Sequence, residues 1–206
     1  MGLAAYKWSP DEIHVHEEVL EKPFLWRTPR MIFTNSMSDF FHERIPFRFI
    51  DKVLDVISRT PHHTYQILTK RAERMMKYSE RIGGFPENVW CGVTVESGSY
   101  KFRIDHLKKV RSRVRFVSLE PLIGRVGRLD LEDIHWVIVG GESGPRFRPL
   151  NLEWAREIRE QCLNENVPFF FKQVGGVWPK AGGRLLDGRE WNEYPRIVFP
   201  LAGKSH

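Results

Sequence analysis

Cysteine is scarce in this chain: two occur among 206 residues, and they stand far apart. Cys91 lies within an apolar run and Cys162 within a helix-like stretch, so both read as buried thiols. A disulfide, a cysteine metal pair and a three- or four-sulfur cluster site are therefore excluded for this chain alone. Long hydrophobic runs are also missing. None approaches the ~20 residues that a bilayer span needs, and the first residues lack a basic-then-apolar signal pattern. No membrane partner and a cytoplasmic location are the expectation. No GxGxxG or GxxxxGK[ST] follows the first strand-like run, which removes both familiar nucleotide loops. No GxSxG accompanies the histidines, and His14, His16 and the His62-His63 pair lack the partners of a metal site. Internal repeats and low-complexity segments are absent as well.

What remains is the composition of an ordinary folded protein: 41% hydrophobic and 28% charged, with 14 Phe, 7 Trp and 5 Tyr. A chain of this length is most simply one domain, residues 1–206. Within it, 1–29 is a lead-in containing a predicted helix over 10–20, and 174–206 is an irregular cap rich in Gly, Pro and Trp. The net charge of +6 comes from 32 Lys and Arg against 26 Asp and Glu. The basic residues concentrate in 70–81, in 101–115 and at Arg146 and Arg148. These stretches could meet nucleic-acid phosphates, or could be solvated helix faces with carboxylate partners at i,i+4.

Six short apolar runs end abruptly in polar residues: MIFTNS (31–36), TYQILTK (64–70), VWCGVTVE (89–96), VRFVSLEP (114–121), WVIVGGES (136–143) and PFFFKQ (168–173). Helical periodicity falls between most of them, over 45–58, 70–82, 100–110 and 152–164, whereas 122–134 has little. Alternating strands and helices predict a parallel sheet with both faces covered. A closed eight-unit barrel needs about 250 residues. An α/β fold built as an incomplete (βα) parallel barrel of about six strands is therefore expected, ahead of a flat doubly wound sheet.

In such folds ligands bind at the C-terminal strand ends. Those ends carry Asn35, Ser36, Thr69, Lys70, Thr94, Glu96, Ser118, Glu120, Glu142, Ser143, Lys172 and Gln173. In GGESG, Gly140 and Gly141 would let the backbone approach a ligand while Glu142 offers a carboxylate; a tight turn is the equal alternative. Lys70, Arg71 and Lys172 place cations directly after strands, where a carboxylate or phosphate could meet them. Glu96 and Glu120 either bind ligand or pair across the rim with those lysines. Asp39 and His42 could share a turn face, or simply cap a helix. Arg148 completes the candidate substrate-binding set.

The blocks PRMIFTNSMSDFFHERIP, HTYQILTKRAERM, NVWCGVTVES, VRFVSLEPLIG, WVIVGGESGPRFRPL, PFFFKQ and LDGREWNEYP, spread over residues 18–195, resemble a largely phage-encoded family labelled "phage protein gp thirty-seven / gp sixty-eight". That family is similar to radical S-adenosylmethionine (SAM) enzymes, with spore photoproduct lyase a distant relative. The resemblance implies a partial barrel, a 4Fe-4S cluster and SAM lying across the strand ends. SAM would be held by Asn35, Ser36 and Lys70 at its amino-acid end. Its ribose would face Thr94 and Glu96, or Ser118 and Glu120. The family's N-terminal cysteine motif does not occur in this chain, which is expected to be either a shortened product or a natural degenerate member. Three functions follow as expectations: SAM and a substrate, conceivably a nucleic acid, bound without a cluster; a non-catalytic nucleic-acid or protein binding module; or a cluster-independent enzyme using Glu120, Glu142 and Lys172.

Overall fold

The computed structural model describes residues 6–8, 13–15, 17–34, 39–178 and 181–196, the first two segments by their backbone. Six parallel strands form its main sheet: β1 (Met31–Phe33), β2 (Thr64–Thr69), β3 (Val89–Thr94), β4 (Val114–Leu119), β5 (Trp136–Gly140) and β6 (Phe169–Gln173). Their spatial order is their sequence order, and β1 does not pair with β6. The sheet curls into a half-barrel, an α/β incomplete parallel barrel.

Helices α1 (Phe47–Arg59), α2 (Ala72–Ile82), α3 (Phe102–Lys108) and α4 (Leu152–Asn164) fill four of the connections. Helix α1 buries Phe49, Ile50, Val53, Leu54 and Ile57, one stripe at helical spacing. Helix α2 stops where Gly83 turns left-handed at φ 76°. Helix α4 starts where the Asn151 side chain accepts the Glu153 N–H. The β4–β5 connection holds no helix. It folds back over the strand ends instead, with Leu122 N–H donating to the Gly140 carbonyl and Ile123 N–H to that of Glu96, both at 2.9 Å.

The predicted helix over 10–20 is not observed. Ile13–Val15 pairs antiparallel with Tyr6–Trp8, and Glu17–Val19 is a 3-10 turn. Ile13 and Val15 flank His14 at the two-residue period of a strand, which the helical reading passed over.

The two faces of the sheet are filled differently. Ile67, Cys91, Val93, Val117, Leu119, Val139, Phe169 and Phe171 pack outward in the main core with the helices. The alternate residues Trp90, Val114, Phe116 and Trp136, with Leu68, Ile138 and Phe170, form a separate inner cluster. Gly92 is what lets that cluster close. A Cβ there would lie 2.3 Å from Cζ of Phe116, so the ring occupies the space a side chain would take. The two sheet edges also differ. At β6, Phe171 N–H donates to Trp191 O at 2.9 Å and Glu193 N–H to Phe169 O at 3.2 Å. The tail thus runs antiparallel along that edge.

Candidate functional site

A cavity of about 810 Å³ occupies the concave side of the sheet. Its floor and walls are apolar: Phe116, Trp136, Ile138, Phe170 and Tyr194, with Met31, Phe33 and Leu68 toward β1. Trp136 is the hub of the floor, with ring centroids 5.8 Å from Phe116, 5.9 Å from Phe170 and 5.0 Å from Tyr194. Its indole N–H donates to the Glu193 carbonyl at 2.8 Å, so the tail fixes the ring from below.

Above this floor the strand ends supply a polar band of Thr94, Ser118, Glu120, Lys70 and Lys172, with Asp39 and Arg71 beside β2. Two ion pairs dominate. Lys70 meets Glu96, and Lys172 meets Glu120 at 2.8 Å. Glu96 is buried and has a second cation, Arg103 of α3, at 2.8 Å. Burial raises its pKa, but the hydrogen bond and charge of Lys70 and the charge of Arg103 outweigh that, leaving it below the ordinary 4.5. Glu120 Oε1 accepts a hydrogen bond from the Ser118 hydroxyl at 3.2 Å.

The pair formed by Lys172 and Glu120 spans a strand. Lys172 lies on β6 and Glu120 follows β4, with β5 between them. The bridging is possible because β5 ends in Gly140, where a Cβ would lie 3.0 Å from Glu120 Oε2. Gly140 therefore serves the site by having no side chain.

A family model described as "Protein of unknown function (DUF5131)" matches residues 2–195. This chain belongs to that family. No curated protein and no solved structure matches it.

The remaining predicted residues of this family member are placed elsewhere or tied into the frame. Asn35 and Ser36 lie outside the described residues. Asp39 is a structural hub: it accepts from the Thr69 hydroxyl at 2.6 Å, the Lys70 N–H at 3.0 Å and the Arg71 guanidinium at 2.8 Å. That web anchors the start of α2 and sets the direction of Lys70. His42 belongs to the local turn, where its ring Nδ1 accepts the Arg44 N–H at 3.2 Å.

Glu142, Ser143, Gly141 and Gln173 do not line the cavity. Glu142 is clasped by Arg148, whose side chain donates at 2.8 and 2.7 Å and whose backbone N–H donates at 2.8 Å. Those bonds hold its pKa at about 2, a poor base near neutral pH. Gln173 donates to Ser143 at 2.9 Å. Gly141 lets two loops touch, since a Cβ there would fall 1.8 Å from the Val174 carbonyl oxygen. Of the acid–base trio Glu120, Glu142 and Lys172, only the first and last meet.

Sequence reasoning missed the aromatic floor and Arg103. The floor was signalled by alternation: residues 114, 116, 118 and 120, like 136, 138 and 140, share one face of their strands. Arg103 carried a fainter signal, a basic residue beside Ile104 and Leu107 on the buried stripe of α3.

The implied iron–sulfur cluster does not fit the residues present. Both thiols are buried, Cys91 in the outer core and Cys162 on α4, and desolvation pushes Cys91 up to about 12 and Cys162 higher still. Among the described residues no group of three His, Cys, Asp or Glu could hold a metal ion.

Proposed function

We propose that the concave face of the half-barrel binds S-adenosylmethionine or a close relative of it. One observation carries this reading: a single cavity joins an aromatic floor to a band holding Lys70, the Lys172–Glu120 pair and the Thr94 and Ser118 hydroxyls. Such a cavity suits a ligand with a flat apolar body, ribose hydroxyls and a zwitterionic head. Lys70 would hold the carboxylate of the amino-acid head and Glu120 face a cationic group of the ligand, while Thr94 and Ser118 offer partners to hydroxyls. Bound there, the ligand would bring a sulfonium whose attached carbons are activated toward transfer. The chain's own part is to orient the ligand and to exclude water from the floor.

Calorimetry with SAM tests the proposal. Saturable binding that is lost in Trp136→Ala, and weakened roughly tenfold in Lys70→Met, is the expected result. Absence of saturable binding by the folded wild-type protein would remove it.

A second reading, single-stranded nucleic acid as a further ligand across the rim, rests on a different observation. Lys70, Lys172, Arg146 and Arg148 are exposed at the strand ends, and Trp178, on the loop after β6, is two-thirds exposed. Exposed cations and an exposed aromatic among the strand-end loops suit phosphates and a stacked base. Binding of a fluorescent oligonucleotide that weakens steeply with salt, and falls in Trp178→Ala, is expected; salt-insensitive binding would count against it.

A further inference from the structure

The two rim ion pairs look alike but differ in what would be left behind if the lysine moved away. Read across the strands, the charges run Lys70, Glu96, Glu120, Lys172: a cation, two carboxylates and a cation. Both lysines are half exposed, at 52% and 56%, while both carboxylates are largely covered, at 8% and 17%. Either ammonium could swing toward solvent or toward a ligand.

Glu96 would remain neutralised, because Arg103 stays. That arginine is buried, donates from one guanidinium nitrogen to Glu96 at 2.8 Å and to the Thr94 carbonyl at 2.7 Å, and stacks 4.3 Å from the Tyr100 ring. Among the described residues Glu120 has no such reserve. Without Lys172, its carboxylate is left with the neutral Ser118 hydroxyl. A covered carboxylate left with no counter-charge is strongly disfavoured. Lys172 therefore stays in place unless another cation arrives.

We propose that Arg103 gives the site its polarity: Lys70 is the cation recruited by a ligand's anionic group, and Glu120 is the carboxylate that accepts a ligand's cationic group in exchange for Lys172. This deepens the SAM reading and rests on it for the identity of the ligand. The polarity itself rests on Arg103. The anionic group could be a carboxylate or a phosphate, since an ammonium serves both. Arg103 is a positioning residue. It acts on the ligand only by keeping Glu96 satisfied while Lys70 is engaged.

The test compares SAM with its decarboxylated analogue by calorimetry, alongside thermal melting with and without millimolar pyrophosphate. Wild type should prefer SAM about tenfold, the worth of one charge-assisted contact. Lys70→Met should erase the preference and Lys172→Met should retain it. Arg103→Met should weaken the preference although Lys70 is intact, because Lys70 is then needed by Glu96, and Arg103→Lys should restore it. Without any ligand, Lys70→Met should melt within about 2 °C of wild type, Lys172→Met lower, and Arg103→Met lowest. Pyrophosphate should raise the melting temperature of wild type and Lys172→Met but not of Lys70→Met, which would mark phosphate as an acceptable anion.

A preference that survives Lys70→Met, or a Lys70→Met protein that melts as low as Arg103→Met, would overturn the assignment. Should wild type bind neither nucleoside, the SAM reading fails alone. The melting order and the pyrophosphate response then still decide the polarity.

Discussion

The rim divides into two halves that use similar residues for different ends. At the ends of β2, β4 and β6, Lys70, Glu120 and Lys172 turn inward over the aromatic floor and line a shared cavity. Beyond β5 and β6, the loops turn their polar groups on each other. Glu142 closes on Arg148, Gln173 on Ser143, and Gly144 N–H donates to the Gly176 carbonyl at 2.9 Å. The difference lies in the backbone. Along β4 and β5, strand alternation aims Phe116, Ser118, Trp136 and Ile138 at the cavity. The other half breaks register between Val139 and Gly140, and its loops come so close that side chains are excluded at the crossing.

The comparison breaks most visibly if the inward half loses its floor. Trp136→Ala should cost about 3–5 kcal/mol by denaturant unfolding, since the ring is buried and touches several aromatic neighbours. Ligand binding should vanish with it. A loss under about 1 kcal/mol would mean that the floor is not a packed unit.

Next come the two glycines that divide the labour. Gly141→Ala pushes a methyl group into a backbone carbonyl that cannot yield, so a loss of about 3 kcal/mol is expected. Gly92→Ala meets only the Phe116 ring, which can rotate into the cavity. It should cost about 1–2 kcal/mol while shrinking the space for ligand. The informative outcome is the crossing of effects: the first variant loses more stability, the second more affinity. If Gly141→Ala weakened binding without affecting stability, the glycine loop would belong to the site after all.

These contrasts explain how far the sequence could be read. All six strands of the main sheet, four helices and the open barrel were legible because parallel strands covered on both faces are written as continuous apolar runs, and α1, α2 and α4 carry their own periodicity. Lys70, Thr94, Glu96, Ser118, Glu120 and Lys172 were legible as strand ends. Pairing across the rim was legible as one alternative, but which carboxylate each lysine meets was not, because Lys172 reaches Glu120 across an intervening strand and only the register brings Gly140 between them. The GGESG segment read equally as a ligand site or a tight turn because glycines after a strand have the same local signature whether they admit a ligand or another loop. Contact with Val174 is long-range information that a local motif does not contain. Arg103 was hidden for the same reason: its partner Glu96 lies seven residues earlier, beyond the reach of an i,i+4 rule.

The smallest effect sharpens the comparison through pH. Glu142 and Glu96 are both held below their ordinary 4.5, the first at about 2 through hydrogen bonds from Arg148, the second against the opposing push of burial. For a carboxylate with a depressed folded pKa, the stabilisation is complete above the unfolded value and is lost as pH falls toward the folded one. Both groups should therefore contribute above pH 4.5 and fade below it, with the Glu142 contribution gone only near pH 2. Glu142→Gln should flatten the stability profile between pH 4.5 and about 2 while leaving ligand affinity at neutral pH unchanged, because Arg148 and Glu142 face each other rather than the cavity. Glu96→Gln should flatten the same acid limb and also alter affinity, since it changes what Lys70 is paired with. Were the two variants to affect affinity equally, the division of the rim into a binding half and a framing half would have to be abandoned.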